Sequence, residues 1–182
     1  MTNFSPKAVL DFWFDPEHEE FLFIKNEAFD EKIRSKFYPV WMAARQGLLV
    51  GWRSALYGRL AEIIVLDQFS RNLMRDMPDA FAQDDMALVL AQEIIRQPDF
   101  KNLTSVQKQF ALLPFEHSES AAIHEMALPL FEKHTSAEAI HFEVLHKRII
   151  DRFGRYPHRN EILGRESSEE ELEFLKEENS SF

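Results

Sequence analysis

A segment near the middle of the chain, residues 54 to 72, contains a short run that is apolar on every face of a predicted helix. The run Ile63 to Leu66 leaves no polar side, and a helix of this type has to be surrounded by protein. At spacings of three and four the apolar stripe then reaches Asp67 and Arg71, so two charged residues occupy positions that the pattern assigns to the interior. Because a buried unpaired charge is costly, both need partners, and their spacing of four allows them to pair.

Apolar residues recur at helical spacing along the rest of the chain, and no alternating strand pattern of useful length is present. The sequence therefore predicts an all-α fold of about eight or nine helices, arranged in antiparallel pairs with short loops. We expect a single domain over residues 1–182, with a core from about 5 to 177 and a frayed tail at 178–182.

Prolines and capping residues indicate where helices start and stop. Pro39 lies inside a helical pattern and should kink or divide its helix, and Pro114 should interrupt another. Two overlapping capping boxes start at Ser167 and Ser168, and either of them can begin a last helix.

Charge and composition exclude several classes of function. The chain has 31 acidic and 21 basic residues and a net charge of -10, which repels phosphate backbones, so we expect no general nucleic-acid binding. The absence of cysteine excludes disulfides, thiolate chemistry and Cys-ligated zinc. No signal-peptide pattern and no run of about 18 apolar residues occurs, so we expect a cytoplasmic protein without a membrane partner. No pattern indicates an oligomeric state.

Two more polar stretches interrupt or follow apolar helical patterns. One contains His117 and Glu119, and His117 is the next position of an apolar stripe at helical spacing. The other begins where the last long helix must end, because Gly154 can adopt a left-handed cap and Pro157 cannot continue a helix. Its arginines and His158 should therefore lie on a sharp exit turn.

Three short sequence motifs, the polar words, carry a resemblance to a known family. They are Leu-Asp-Gln-Phe-Ser-Arg-Asn at 66 to 72, Pro-Phe-Glu-His-Ser-Glu at 114 to 119, and Arg-Phe-Gly-Arg-Tyr-Pro-His-Arg-Asn with Leu-Gly-Arg-Glu-Ser between 152 and 167. In this order they closely resemble the bacterial family catalogued as domain of unknown function 924, over about residues 9 to 177. The resemblance implies a tetratricopeptide-repeat-like all-helical fold, and it implies no established activity.

If the three words converge in the fold, they form one polar site. Its candidate ligand-binding residues are Asp67, Gln68, Arg71, Asn72, His117, Glu119, Arg155, His158, Arg159 and Asn160. Residues 147 to 165 hold six Lys or Arg and two acids, a basic island in an acidic chain, which suits a small anionic ligand or a peptide. The first hypothesis is thus a helical binding module without a cofactor.

Two alternatives remain open. An enzyme, such as a hydrolase, could use a cluster of Asp67, Arg71, His117, Arg155 and His158, with Ser70 or Ser118 as the nucleophile. No motif is diagnostic of catalysis or of a metal site. The cluster could also be a structural ion-pair network, in which Asp67 pairs with Arg155 or Arg159 while the seven acids of residues 166 to 178 neutralise the island.

Overall fold

The computed structural model describes residues 5–178, 180 and 181, and it is all-helical over that range. Nine α-helices lie within these residues, and they contain no strand, as the apolar pattern predicts. The helices are α1 (Pro6–Trp13), α2 (Glu27–Ala44), α3 (Leu56–Ile64), α4 (Ser70–Leu73), α5 (Asp84–Ile94), α6 (Ser105–Glu116), α7 (Ala121–His134), α8 (Ala137–Phe153) and α9 (Glu169–Phe174).

Helix α3 lies at the centre of the molecule. It packs against α1, α5 and α6, and every residue from 60 to 70 is buried. The prediction of a central, fully enclosed helix around Ile63 to Leu66 is confirmed. Aromatic side chains fill the core around it: the Trp13 ring, for example, lies 5.6 Å from Phe69 and 5.5 Å from Phe110.

A π turn, Val65–Phe69, separates α3 from α4. The wider turn adds one residue to the helical path, and such turns occur frequently at functional sites. It contains Asp67, while Ser70 immediately beyond it donates its hydroxyl to the Leu66 carbonyl at 2.5 Å. Apolar periodicity alone cannot detect a single inserted residue, so the sequence did not predict this turn.

Neither Pro39 nor Pro114 divides its helix. Helix α2 runs through Pro39 and α6 runs through Pro114, so the predicted interruption at Pro114 is wrong. A proline inside a helix costs about 3 kcal/mol. Both helices bury apolar residues on each side of the proline, and this burial offsets the cost.

The C-terminal segment is joined to α8 by ion pairs and apolar contacts. Of the two possible capping boxes, the one that forms joins Ser168 to Glu171 at the start of α9. A small second core contains Ile149, Ile150 and Phe174.

Part of the tail expected to fray is packed against the fold. Ser180 is buried, and its hydroxyl donates to the Leu175 carbonyl at 3.2 Å. Residues 179 and 182 of that tail lie outside the described residues. Among the helices that the structure describes, none combines the length and apolarity needed to cross a bilayer.

Candidate functional site

Asp67 and His117 come from different helical segments and form the centre of the site. Asp67 lies in the π turn after α3, and His117 follows the last residue of α6. Asp67 Oδ1 and His117 Nδ1 are 2.7 Å apart, although the residues are 50 positions apart in the chain. The structure therefore joins two of the three polar words directly.

The surroundings of this pair set its protonation. Burial opposes ionisation of Asp67, but the charge of Arg71 and the hydrogen bonds from His117 and Gln68 outweigh it, so the pKa lies below its usual range. Gln68 Nε2 donates to Asp67 Oδ2 at 2.6 Å. Burial and the charge of Arg71 lower the pKa of His117, so its imidazole is neutral at pH 7.

The position of the His117 proton follows from this contact. An ionised carboxylate only accepts hydrogen bonds, so Nδ1 carries the proton and Nε2 carries the lone pair. Nε2 forms no hydrogen bond with any residue that the structure describes, and 13% of the side chain is exposed. An imidazole oriented by a buried carboxylate, with its second nitrogen unbonded, has the geometry of a general base.

Arg71, Asp84 and Arg159 form an ion-pair network beside the pair. Arg71 Nη1 lies 3.2 Å from Asp67 Oδ1, and the Arg71 guanidinium donates to both carboxylate oxygens of Asp84 at 2.9 and 3.0 Å. Arg159 donates to Asp84 Oδ2 at 3.2 Å and to the His117 carbonyl at 3.1 Å. Asp84, in the first turn of α5, therefore joins the central helix to the C-terminal turn.

A cavity of about 400 Å³ opens at His117. Its apolar wall consists of Pro78, Phe81, Ala82, Leu88, Pro114 and Leu163. Its polar wall consists of Asp84, Asp85, His117, Ser118, Glu119 and Arg159. A mostly apolar cavity with a few convergent polar groups is typical of a small-molecule site.

Glu119 forms the second polar corner of this cavity. Its carboxylate accepts two hydrogen bonds from Arg165, at 2.7 and 2.9 Å, and one from the Tyr156 backbone N–H at 2.7 Å. Although burial opposes ionisation, these bonds lower the pKa of Glu119. Glu119 is therefore ionised and held in place.

A buried titratable cluster lies behind the cavity wall. The Tyr156 hydroxyl donates to the Glu116 carbonyl and lies 3.1 Å from His124 Nε2. On the other side of that ring, His124 Nδ1 and Glu143 Oε1 are 2.8 Å apart. His146 completes the cluster, with its ring 5.6 Å from Tyr156.

Burial also shifts the protonation of this cluster. It raises the pKa of both Glu116 and Glu143, and it lowers the pKa of His146 well below its usual value. His158 lies beside the same tyrosine, with ring centroids 5.5 Å apart, and burial together with the charge of Arg159 lowers its pKa to about 4. Several titratable groups with shifted pKa values beside one cavity are typical of functional sites.

Three residues predicted for the site make their contacts elsewhere. Asn72 donates to Asp30 at 2.8 Å, on the α2 side of the central helix. Arg155 donates two hydrogen bonds to Glu171, at 2.7 and 2.8 Å. Asn160 donates to Ser167 at 3.0 Å and supports the turn before α9.

The predicted pairing of Asp67 with Arg155 or Arg159 is corrected by these contacts. Asp67 pairs with Arg71 and His117, whereas Arg159 reaches Asp84. Arg155 and Arg159 lie at opposite ends of the turn, and Arg155 contacts Glu171 in the C-terminal segment whereas Arg159 contacts the His117 carbonyl beside the core.

The basic island is neutralised within the fold. Of its six cations, five have a carboxylate partner: Lys147 with Glu125 and Asp151, Arg152 with Glu170, Arg155 with Glu171, Arg159 with Asp84, and Arg165 with Glu119. The expected neutralisation by acids of the C-terminal segment therefore occurs at Glu170 and Glu171.

The two candidate serine nucleophiles differ. Ser70 is fully buried and accepts a hydrogen bond from Trp41 Nε1 at 2.8 Å, so it cannot meet a substrate. Ser118 lines the cavity but forms no hydrogen bond with the His117 imidazole within the described chain. No three His or acidic residues among those described are grouped to hold a metal ion.

A larger cleft, of about 970 Å³, lies at the start of α1 and α3. It contains few charged residues, and two of them, Lys7 and Asp11, pair with each other at the surface at 2.5 Å. The titratable residues with shifted pKa values lie instead around the smaller cavity, so we place the candidate site there.

Sequence reasoning missed several residues of this site. Asp84 is an acid in the first turn of a helix, where acids are common, Glu143 lies outside the polar words, and Arg165 lies inside the third word. Glu116 and Tyr156 lie inside those words. Their position beside a titratable neighbour was the signal that could have identified them.

Comparisons with known proteins agree with the fold. The model of the family described as "Bacterial protein of unknown function (DUF924)" matches residues 9–179. A solved structure of a protein of unknown function from Agrobacterium tumefaciens is 33% identical and superposes with a TM-score of 0.89, covering 94% of this chain and 96% of that one. The search of curated proteins gave no significant match.

Proposed function

The chain belongs to the bacterial family of unknown function DUF924, and from the geometry of its cavity we propose that it is a hydrolase-type enzyme with His117 as the general base. The observation that carries this proposal is the contact of 2.7 Å between Asp67 Oδ1 and His117 Nδ1 on the wall of a cavity. Substrate would occupy the cavity of about 400 Å³.

Each group of the proposed reaction has a defined task. His117 Nε2 removes a proton from a water molecule as the water oxygen bonds to the electrophilic centre of the substrate. The bond from that centre to the leaving group then breaks, and the imidazolium returns its proton to the leaving group. Asp67 holds the imidazole in the required tautomer and stabilises the imidazolium that forms. The apolar wall excludes further water and strengthens these electrostatic interactions.

The network of Arg71, Asp84 and Arg159 supports the base without reacting. Arg159 donates to the His117 carbonyl at 3.1 Å, and Arg71 contacts Asp67. Arg159 therefore holds His117 in position and Arg71 holds Asp67. This fits the requirement that catalytic groups be positioned before the substrate binds.

A hydrolysis assay tests the proposal. Purified protein is incubated with p-nitrophenyl acetate and p-nitrophenyl phosphate, and the wild type is compared with His117→Gln. We expect the variant to lose at least about 100-fold in rate, the usual contribution of a general base. The matched control is His141→Gln, because His141 is exposed on α8.

Three further readouts make the assay decisive. The control should keep the wild-type rate, and circular dichroism should show that both variants fold. The wild-type rate should fall as His117 gains a proton below its lowered pKa. Equal rates in all three proteins would mean that the pair is structural and not catalytic.

A non-catalytic binding module is the second candidate, as the sequence suggested. It is favoured by the cavity itself, in which an apolar wall faces a few convergent polar groups. Such a module predicts ligand-dependent thermal stabilisation without turnover. A thermal-shift screen of anions, amines and peptides distinguishes it from the enzyme.

Two finer expectations belong to the same proposal. A tetratricopeptide-repeat-like arrangement is supported by the successive contacts of α5 with α6, α6 with α7, and α7 with α8. A cytoplasmic location is supported by the absence of cysteine. Fractionation of cells with an antibody against the protein tests the location.

A further inference from the structure

We infer that the molecule bound in the cavity at His117 carries a protonated amine and not an anionic group. This inference rests on the proposed function, because it names the substrate class of the same cavity. It follows from which hydrogen-bonding groups around the cavity are already occupied and which remain available.

The guanidinium groups near the cavity are already occupied. Arg71 donates through both terminal nitrogens to Asp84, and Arg165 does the same to Glu119. Arg159 donates through one terminal nitrogen to Asp84 and through the other to the His117 carbonyl. An anionic ligand would meet guanidiniums whose charge Asp84 and Glu119 already balance, and it would lie beside these carboxylates and Asp85.

Two hydrogen-bond acceptors on the cavity wall have no partner among the described residues. His117 Nε2 has a lone pair and no hydrogen bond within the described residues. Asp85, exposed at the cavity rim in the first turn of α5, forms no ion pair with any described residue. In the proposed reaction Nε2 receives the proton of the attacking water, so Asp85 is the acceptor left for the ligand, and a cationic N–H donor suits it.

The charge of the cavity wall has the matching sign. Three carboxylates, from Asp84, Asp85 and Glu119, face one guanidinium, from Arg159. Together with Asp67 behind the wall, four carboxylates are partly balanced by the three guanidiniums of Arg71, Arg159 and Arg165, and Asp85 is the carboxylate that has no ion pair among the described residues. At long range the net charge of -10 also attracts cations and repels anions.

The apolar half of the wall defines the rest of the ligand. The Arg159 guanidinium carbon lies 4.5 Å from the centroid of the Phe81 ring. The apolar surface beside this ring also includes Leu88, Pro114 and Leu163. A small hydrocarbon or aromatic group fits this surface, while the ammonium group lies at the rim beside Asp85.

A matched set of three probes tests this inference. Benzylamine, benzyl alcohol and benzoate share one ring and differ in charge, and their binding is followed by the NMR chemical shifts of the protein. We expect benzylamine to bind about tenfold more tightly than benzyl alcohol, and we expect benzoate to cause no shift at the cavity.

Asp85→Asn should reduce the affinity for benzylamine about fivefold, the upper range for a partly exposed ion pair, and leave that for benzyl alcohol unchanged. The matched control is Glu138→Gln, since Glu138 is also an exposed acid in the first turn of a helix but lies outside the cavity. It should bind all three probes as the wild type does.

Several results would overturn the inference. Preferential binding of benzoate contradicts it, and so does equal binding of benzylamine and benzyl alcohol. An unchanged affinity of Asp85→Asn for benzylamine, or the absence of any shift with benzylamine at millimolar concentration, contradicts it as well. These binding results do not involve turnover, so they are separate from the hydrolysis assay, which tests His117 itself.

Discussion

Asp67 is a fully buried carboxylate with four polar contacts, from His117, Gln68 and Arg71 at its side chain and from Arg71 at its carbonyl. Such a group is compatible with the core only while it stays ionised and bonded. The same contacts determine the tautomer of His117. Stability and the proposed chemistry therefore depend on one carboxylate.

Asp67→Asn should destabilise the protein by about 3 kcal/mol, because Arg71 and His117 lose a buried partner while Arg71 keeps Asp84. Urea unfolding followed by circular dichroism measures the change. Asp85→Asn is the control, since an exposed carboxylate without an ion pair should change stability by less than about 0.5 kcal/mol. Equal stability of the two variants would contradict this assignment.

His158 should make the stability depend on pH. Its pKa is lowered from the usual value to about 4 in the folded protein, so below pH 6.5 the unfolded chain binds a proton that the folded chain does not. The stabilisation from neutral His158 is complete above pH 6.5 and is lost as the pH falls towards 4. Because Glu116 and Glu143 have raised pKa values and act in the opposite direction, the effect has to be isolated by substitution.

The measurement is the difference in the free energy of unfolding between the wild type and His158→Gln at several pH values. On going from pH 6.5 to pH 4 the difference should shift in favour of the variant, by up to about 3 kcal/mol, since one pKa unit corresponds to about 1.4 kcal/mol. A difference that stays constant with pH would show that His158 is not buried in its neutral form.

The sequence was informative for single residues only where periodicity reports burial. Asp67, Arg71 and His117 each continued an apolar stripe, and the structure joins them. Asn72 also lay beside the stripe, yet its partner is Asp30, which is 42 positions away and carried no recognisable signal. Long-range partner choice depends on how helices cross, and a one-dimensional pattern does not contain that information.

At the scale of elements, the close approach of α3 to the preceding turn fixes the central helix. A Cβ atom on Gly58 would lie 2.0 Å from the Trp52 carbonyl oxygen, a backbone atom that cannot rotate away. Gly58→Ala should therefore destabilise the protein by about 3 kcal/mol or more.

Thermal unfolding measures this effect, and Gly51→Ala is the matched control in the same region. A Cβ atom on Gly51 would meet no atom within 4 Å. If both alanine variants unfold at the same temperature, then α3 does not pack against the turn as described.

Helix α9 is held to the exit turn by Arg155 and Glu171. Glu171 accepts from Arg155 and from the Ser168 N–H, and these bonds lower its pKa. Glu171→Gln should increase hydrogen exchange in residues 168 to 175 and leave α3 unchanged. Glu173→Gln, on the exposed face of the same helix, should have no effect, and equal exchange in the two variants would contradict the role of Glu171.

The sequence predicted the helices better than it predicted irregularities within them. Apolar spacing identified the helices because burial repeats with the helical period. It failed at Pro114, where packing outweighs the local cost of proline, and at Val65–Phe69, where one extra residue changes the helical path. Both events depend on the energy of the whole fold and not on local sequence.

At the scale of the molecule, ion pairs join segments that are distant in the chain. Asp84 connects α5 to the turn after α8, and Glu119 connects the α6 to α7 loop to Arg165. The three polar words therefore meet around one cavity, while five of the six cations of the basic island pair with carboxylates of the same chain. The resulting site offers a neutral base and a carboxylate without an ion pair among the described residues, which is the basis of both proposals.

The protonation state of His117 tests this account most directly. Nitrogen NMR of the histidine side chains at pH 7, assigned by the signals lost in His117→Gln, reports which ring nitrogen carries the proton. We predict a neutral ring with the proton on Nδ1, and a pKa below 6.5. A proton on Nε2, or a charged ring at pH 7, would contradict the assignment of His117 as the general base.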